Sequence, residues 1–476
     1  MLNRPNLYSI NTILHMLDDL FEAKKRLYPQ NIKGRFRRLK WILNSVFLSI
    51  FLFAPFIRFD RPHTAPDQAI LIDLPGSRAY FFFIEIWPQE VYYLAGILIS
   101  AAIILFFITS LFGRIWCGYA CFQTVWTDIF IALERFFQGD RNDRIILDRR
   151  NSFKKIWRKS MTHLSWIIVS LITGYGFVCY FMDAFLLTKN LIHGQASLTV
   201  LGWISGIAAM TYIMAGFARE HVCTYMCPYS RFQSAMFDKN TLIITYDEKR
   251  GEDRGKWRKN DSFQDRGHCI DCKQCVVVCP TGIDIRDGLQ MECIACGLCV
   301  DACDDMMDKV GLPKGLIRYD TMDHIADPTP KKKFKILKPR TILYSSIIIF
   351  ISTLMLRSLM LKTTLETSII PDRNPLFVKM SNGSIRNGYT IKIMNKTHEQ
   401  KIFSLVSSSP EQAILRLQNG NLEYLKVEPN QHKAFKVYVT LPADLDGGEG
   451  RGIVNFDLMD KDKNVIKKLS GVFIFE

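Results

Sequence analysis

The sequence predicts a multi-domain membrane protein: an α-helical transmembrane bundle of five helices, interrupted by a small cysteine-rich insert and followed by an all-β sandwich. Three observations predict it. Five stretches are apolar and long enough to cross a hydrocarbon layer of roughly 30 Å. Eight of the 13 cysteines fall between Cys269 and Cys303. The residues from 374 to the end contain no cysteine and alternate apolar with polar residues between turn signals.

The five spans run from Trp41 to Ile57, Val91 to Phe112, His163 to Met182, Ala196 to Phe217 and Thr341 to Leu361. The formal charge of +15 over 476 residues would suit a nucleic-acid binder if it lay in aromatic-interleaved patches. It clusters instead beside the apolar runs, as in the basic anchor "KKRLYPQNIKGRFRRLK" before the first span. Lys and Arg crowd the N-terminal segment, Arg114 to Lys159 and Arg219 to Arg340, whereas the intervening loops carry only Arg78 and Lys189. The positive-inside rule then places the N-terminus and the cysteine-rich segment in the cytoplasm of a bacterium, and the C-terminal domain in the periplasm. No small-residue cleavage site follows the first span, so it reads as an uncleaved helix. The expected divisions are a basic segment 1–40, helices one to four within 41–217, a cytoplasmic segment 218–340 with its core at 260–320, helix five at 341–361, and the β domain at 374–476.

Within the insert, Cys269, Cys272, Cys275 and Cys279 follow the spacing C-x2-C-x2-C-x3-C-P, and Cys293, Cys296, Cys299 and Cys303 repeat it with Asp304 in place of the proline. This is the run of two-cluster bacterial ferredoxins, in which the fourth cysteine of each array ligates the other cluster. Two [4Fe-4S] clusters are therefore expected, one on Cys269, Cys272, Cys275 and Cys303, the other on Cys293, Cys296, Cys299 and Cys279. Disulfides are disfavoured in a reducing compartment. Zinc sites use paired C-x2-C units rather than three evenly spaced cysteines.

Four more cysteines form two C-x3-C pairs, Cys117 with Cys121 in "GRIWCGYACFQ" and Cys223 with Cys227 in "REHVCTYMCPY". Each follows a span on the cytoplasmic side and has an arginine shortly before it. Pro228 biases Cys227 toward a helix end or turn. If the pairs converge they make a thiol-based redox site; soft thiolates suit Cu(I), and four could also hold iron-sulfur or zinc. Cys179, Met182, Met210 and Met214 read as packing. His63 and His193 read as solvated loop residues, and His163 and Asp183 as interfacial groups near the ends of the third span. No Gly-rich nucleotide loop is present.

In the C-terminal domain, "YTIKIMN", "KAFKVYVTLP" and "GVFIFE" alternate between the turn signals "SNG", "PNQ" and "DGGEG". Short strands at that spacing over about a hundred residues predict an antiparallel β-sandwich. Its expected role is interaction or stabilisation.

"WCGYAC" with "QTVWTD", "CTYMCPYSRFQSAMFD", the cysteine arrays and "DACDDMMDKVGLPKGLIRYDT" together resemble the CcoG/FixG family, cytochrome c oxidase accessory proteins associated with assembly of cbb3-type oxidases. The likeness covers most of the chain. It implies an immunoglobulin-like C-terminal domain and a membrane iron-sulfur oxidoreductase that reduces Cu(II) to Cu(I) for the oxidase's copper centre. It also implies oxidase subunits and copper-delivery proteins as partners, with Cys117, Cys121, Cys223 and Cys227 as the copper site. Relatives have proline where this chain has Phe122, which leaves the local backbone there open. Two other expectations compete: a membrane ferredoxin relaying electrons between the quinone pool and a respiratory partner, and a non-enzymatic assembly scaffold. The electron donor is not legible.

Overall fold

The computed structural model describes residues 27–61, 65–257, 263, 266–326, 334–410, 412–442 and 450–475; His63 and residues 1–26 of the basic segment lie outside them. The chain forms two units, residues 1–57 with 68–353, and residues 58–67 with 354–476.

Among the described residues, five helical runs are long and apolar enough to span a membrane, the last of them ending within the second unit. They are α1 (Arg35–Phe53), α2 (Tyr92–Phe112), α6 (Phe153–Val178), α8 (Leu198–Ile213) and α11 (Pro339–Met360). Between α2 and α6 stand the short α3 (Ile115–Tyr119), then α4 (Phe122–Gln138) and α5 (Arg141–Arg149). The N-terminal half of α2 is largely exposed and apolar all round, the composition of a helix that faces lipid. Helices α6 and α8 approach backbone to backbone: a Cβ on Gly174 would stand 2.4 Å from the Ile204 carbonyl oxygen. Small residues at such crossings are the usual way apolar helices pack in lipid. A three-stranded sheet, β1 (Ile70–Asp73), β2 (Arg78–Phe81) and β3 (Ile84–Ile86), fills the loop between α1 and α2.

Several boundaries differ from those expected. Helix α1 starts at Arg35, six residues before the apolar run, because Arg37, Lys40 and Asn44 are buried against Asp128 rather than solvated. Helix α6 starts at Phe153, ten residues early, where Ser152 caps it. Asp183 lies past α6 and caps α7 (Ala184–Ile192). Helix α8 continues through two π-helical turns, Met214–Ala218 and Val222–Met226, before α9 (Pro228–Ala235). Cys179 is fully buried in an apolar cluster with Val178, Ala184 and Ile204, a packing role. Exposed His193 donates through Nδ1 to the Lys189 carbonyl, one turn back.

The cysteine-rich insert is framed by the antiparallel pair β4 (Ile243–Tyr246) and β5 (Ile317–Asp320), with α10 (Leu298–Val310) carrying Cys299 and Cys303, the last two cysteines of the second array. It is fixed to the helices by a long-range cap. Asp301 on α10 accepts hydrogen bonds from the backbone amides of Phe36 (3.1 Å) and Arg37 (2.8 Å), the first turn of α1. A carboxylate there satisfies two amides that have no partner within the helix and complements the positive end of its dipole.

The second unit is a β-sandwich. One sheet has the order β10 (Ile414–Leu417), β12 (His432–Leu441), β8 (Ile385–Asn395), β6 (Leu365–Pro371), with β7 (Val378–Lys379) also paired to β8. The other runs β11 (Leu425–Val427), β9 (Lys401–Ser409), β13 (Arg451–Asp460), β14 (Val465–Ile474). Its first strand begins at Leu365, nine residues before the expected boundary, close behind α11. Alternate residues of β8, namely Tyr389, Ile391 and Ile393, meet Phe403, Phe456, Leu458 and Phe473 in a fully buried core. That alternation is what the sequence pattern requires of a strand with one buried face.

Candidate cluster and thiol sites

The two arrays share one backbone path. Asp271 and Ala295, each two residues after the first cysteine of its array, have φ of 49° and 51°. Lys273 and Gly297, each following the second cysteine, have φ of 56° and 75°. Three of these four are non-glycine residues in the left-handed region, a cost of order 1–3 kcal/mol each that persists where function holds it. Such turns aim successive backbone N–H groups into a concavity suited to an anionic group.

Each array then lines its own cavity with a cysteine borrowed from the other. One cavity is lined by Cys269, Cys272, Cys275 and Cys303, with Tyr246 and Arg286. The other is lined by Cys279, Cys293, Cys296 and Cys299, with Cys275 also at its wall. These are the two interleaved sets expected from spacing. Among the described residues no three His, Cys, Asp or Glu side chains stand as the ligands of a single ion. Thiolates spread around a cavity instead fit a cubane, whose four irons each take one, so both donor sets fit a [4Fe-4S] group. Burial pushes the Cys275, Cys293 and Cys303 thiols up to about 12, and Cys299 is raised well above its ordinary range. Loading iron therefore displaces protons from these thiols. Arg286 binds Asp284 (2.6 and 2.8 Å) and Asp271 (2.7 Å), holding both carboxyls below the usual range and fixing the first loop.

The four pair cysteines come together beside the second cavity. Cys117 packs against the apolar cluster of Val278, Ile294, Cys296 and Leu298, part of that cavity's wall. Cys121 and Cys223 both lie in its electrostatic field, and Cys223 lies in that of Cys121 and Cys227. Burial, reinforced by the neighbouring sulfurs, pushes the Cys117 thiol up to about 12; Arg114 opposes this, and the thiol donates to Gln233 Oε1 at 3.2 Å. The second cysteine of each pair adopts the same conformation: Cys121 (φ −64°, ψ 126°) and Cys227 (φ −82°, ψ 109°) are extended residues from which α4 and α9 start. Phe122 thus opens its helix as Pro228 does, without the ring.

Sequence reasoning missed the residues that join the two sites. Arg114, almost fully buried, donates through Nη1 to the Met291 carbonyl and, at 3.5 Å, to that of Cys293, and through Nη2 to the Ser230 carbonyl. It clamps the second array's loop to the start of α9. A Cβ on Gly118 would fall 2.7 Å from the Ile294 carbonyl oxygen, so α3 lies directly on that loop. Tyr119 donates to the Cys296 carbonyl (2.9 Å) and Tyr319 to that of Ala295 (2.7 Å). The arginine before each pair was the only visible signal, and it is only half a repeat: Arg219 binds the Gly216 carbonyl and Glu134 instead.

Comparison with known proteins agrees with this geometry. The chain matches the family model of a 4Fe-4S dicluster domain over residues 218–322, a 4Fe-4S binding domain over 94–139, and the IG-like fold at the C-terminus of FixG over 355–476. It is 40% identical to the nitrogen fixation protein FixG of Rhizobium meliloti, over 94% of this chain and 92% of that one. The chain belongs to the FixG family. Two further FixG-family relatives are protein RdxA and protein RdxB of Cereibacter sphaeroides, 41% and 42% identical over 91% and 88% of this chain and 93% and 90% of theirs. This FixG-family chain is a membrane iron-sulfur oxidoreductase with an immunoglobulin-like C-terminal domain. Both C-x3-C pairs fall inside the 4Fe-4S domain matches, Cys117 and Cys121 in one, Cys223 and Cys227 in the other.

Proposed function

We propose that this protein reduces Cu(II) to Cu(I) at Cys117, Cys121, Cys223 and Cys227, supplying copper for assembly of a cbb3-type oxidase. The observation that carries the reading is that Cys117 packs against the wall of the Cys279, Cys293, Cys296 and Cys299 cavity with Cys121 and Cys223 in its electrostatic field, Cys227 neighbouring Cys223 in turn. [4Fe-4S] groups bound in the two cavities supply single electrons, and Cu(II) takes one. Thiolates favour the soft product ion, and Cu(I) is content with as few as two of them, so a single C-x3-C pair can retain it. Ligation displaces the Cys117 proton to solvent and breaks the hydrogen bond that the thiol donates to Gln233 Oε1. Arg114 offsets the negative charge gathered by the sulfurs and holds the array loop against the pair. The protein sits in a bacterial inner membrane with its N-terminus and arrays in the cytoplasm, and the sandwich contacts oxidase subunits or copper-delivery proteins in the periplasm.

The test is anaerobic. Cu(II) is added to purified protein pre-reduced with dithionite and freed of excess reductant, with Cu(I) trapped by a chromogenic chelator and the iron-sulfur absorbance followed in parallel. Cu(I) should appear as the absorbance recovers, and replacing all four pair cysteines by serine should abolish it. Undiminished reduction by the fourfold variant would overturn the copper role.

A further inference from the structure

A third pocket in the first unit is lined by none of the thiols described above. It is a cavity of about 360 Å³ lined by Glu134, His163, Trp166, Phe217, Arg219 and His221 among others, a size ordinary for a small-molecule site. We infer that it binds a membrane quinol that supplies the electrons for copper reduction; this rests on the proposed function for its acceptor.

Three features select that ligand class. The first is that the pocket's Glu134, Arg219 and Lys159 are already paired. Glu134, fully buried, accepts from Arg144 and, at 2.7 Å, from Arg219, while Lys159 pairs with Asp148. An anion would need a cation not so committed, whereas a neutral ligand with hydrogen-bonding ends does not. The second is shape and wall. The His163 ring lies nearly parallel to Phe217 at 6.1 Å and edge-on to Trp166 at 5.1 Å, and its Nδ1 meets the Tyr212 hydroxyl at 2.9 Å. Flat aromatic walls with imidazole and guanidinium groups among them suit a planar ring bearing oxygens. The third is access. His163 marks the start of the apolar stretch of α6, and Phe217 is 58% exposed on the surface of the helical run, so the opening faces where lipid begins.

The pocket is also built into the thiol site. Arg219, at φ 37°, stands between the two π-helical turns, features that recur at functional sites. His221 closes the pocket and Cys223 follows two residues later. Gln123, two residues after Cys121, donates to the carbonyls of Met214 (2.9 Å) and Arg219 (3.3 Å). A change in the pocket wall is thereby felt at both cysteine pairs.

The reaction balances. A hydroquinone loses two O–H bonds and two electrons to become a quinone; the electrons reduce two Cu(II) to two Cu(I), taken in turn at the thiols. The two protons leave by His163 and by Glu220 at the pocket's half-buried rim.

The experiment uses the full chain in lipid nanodiscs without oxygen. Decylubiquinol is the donor and Cu(II) the acceptor, with Cu(I) trapped as above, and iron and sulfide content confirms that each variant is assembled. Quinol should yield two Cu(I) per molecule, and His163→Leu and Phe217→Trp should each slow this by about tenfold or more, the scale set by one oriented hydrogen bond to the ligand. Independently of turnover, decylubiquinone should bind the resting protein, read as quenching of tryptophan fluorescence that Trp166→Phe removes and Phe217→Trp weakens. Absence of binding, or wild-type quinol-driven rates in both variants, overturns the proposal. Dithionite-driven copper reduction is a separate arm: its failure removes the copper reading, while quinone binding stands or falls on the quenching.

Discussion

Arg114 is the residue whose loss most directly couples stability to electron delivery. Its guanidinium donates to three backbone carbonyls on two segments, Met291 and Cys293 on the array loop and Ser230 at the start of α9. A hydrogen bond to a charged group contributes about 1.5–3 kcal/mol net of the exchange with water, so losing the two closer ones makes Arg114→Ala cost about 3–6 kcal/mol. At about 1.4 kcal/mol per tenfold, the Cys293 loop then opens at least about tenfold more often. Anaerobic release of iron to a ferrous chelator reads that opening directly. Arg114→Lys keeps the charge but presents a single ammonium that cannot span both segments, so its release rate should fall between wild type and alanine. Wild-type release rates in both variants would refute the clamp.

Cys303→Ser should remove the iron-sulfur signal belonging to Cys269, Cys272 and Cys275 and spare the other, and Cys279→Ser the reverse; low-temperature electron paramagnetic resonance of reduced protein separates the two, and loss of the same-array signal would refute the interleaving. Asp301→Ala should destabilise the first unit by about 1–2 kcal/mol, the worth of a helix cap, visible as a lower thermal midpoint and faster hydrogen exchange at Phe36 and Arg37. Gly118→Val, whose side chain collides with the Ile294 carbonyl, should lift α3 from the array loop and slow Cu(I) formation while leaving iron content intact. Tyr389→Phe removes a 2.8 Å bond to the Val472 carbonyl and should cost the sandwich about 1 kcal/mol, measured by denaturant unfolding of the full chain.

What could be read from the sequence was what local chemistry dictates. The array spacing is set by how a chain wraps a cubane, so the interleaving of the cysteines around two cavities was legible without knowing the fold. The five spans were legible because lipid demands long apolar runs, and the sandwich because one buried face imposes alternation. The rest depended on residues far apart in the chain meeting in space. Asp128 and Glu134 on α4 carried no signal in the sequence, because their partners Arg37, Lys40, Arg144 and Arg219 lie on other elements. Tyr119 and Tyr319 stand 200 residues apart, yet both close the same loop. His163 read as an interfacial residue, and only the packing of α6 against the π-helical end of α8 shows that it lines a cavity.

The Asp301 cap has a bearing on how the protein is made. The amides of Phe36 and Arg37 are translated early, but the carboxylate that satisfies them comes 264 residues after Arg37. At roughly 5–20 residues per second, the ribosome needs at least about thirteen seconds to bridge that gap. During that interval the first membrane helix waits with its leading turn uncapped, and it is completed only when the segment bearing both cysteine arrays has emerged. A chain truncated before α10 therefore carries a permanently unfinished α1, a mark by which proteolysis can tell products without the arrays from whole ones.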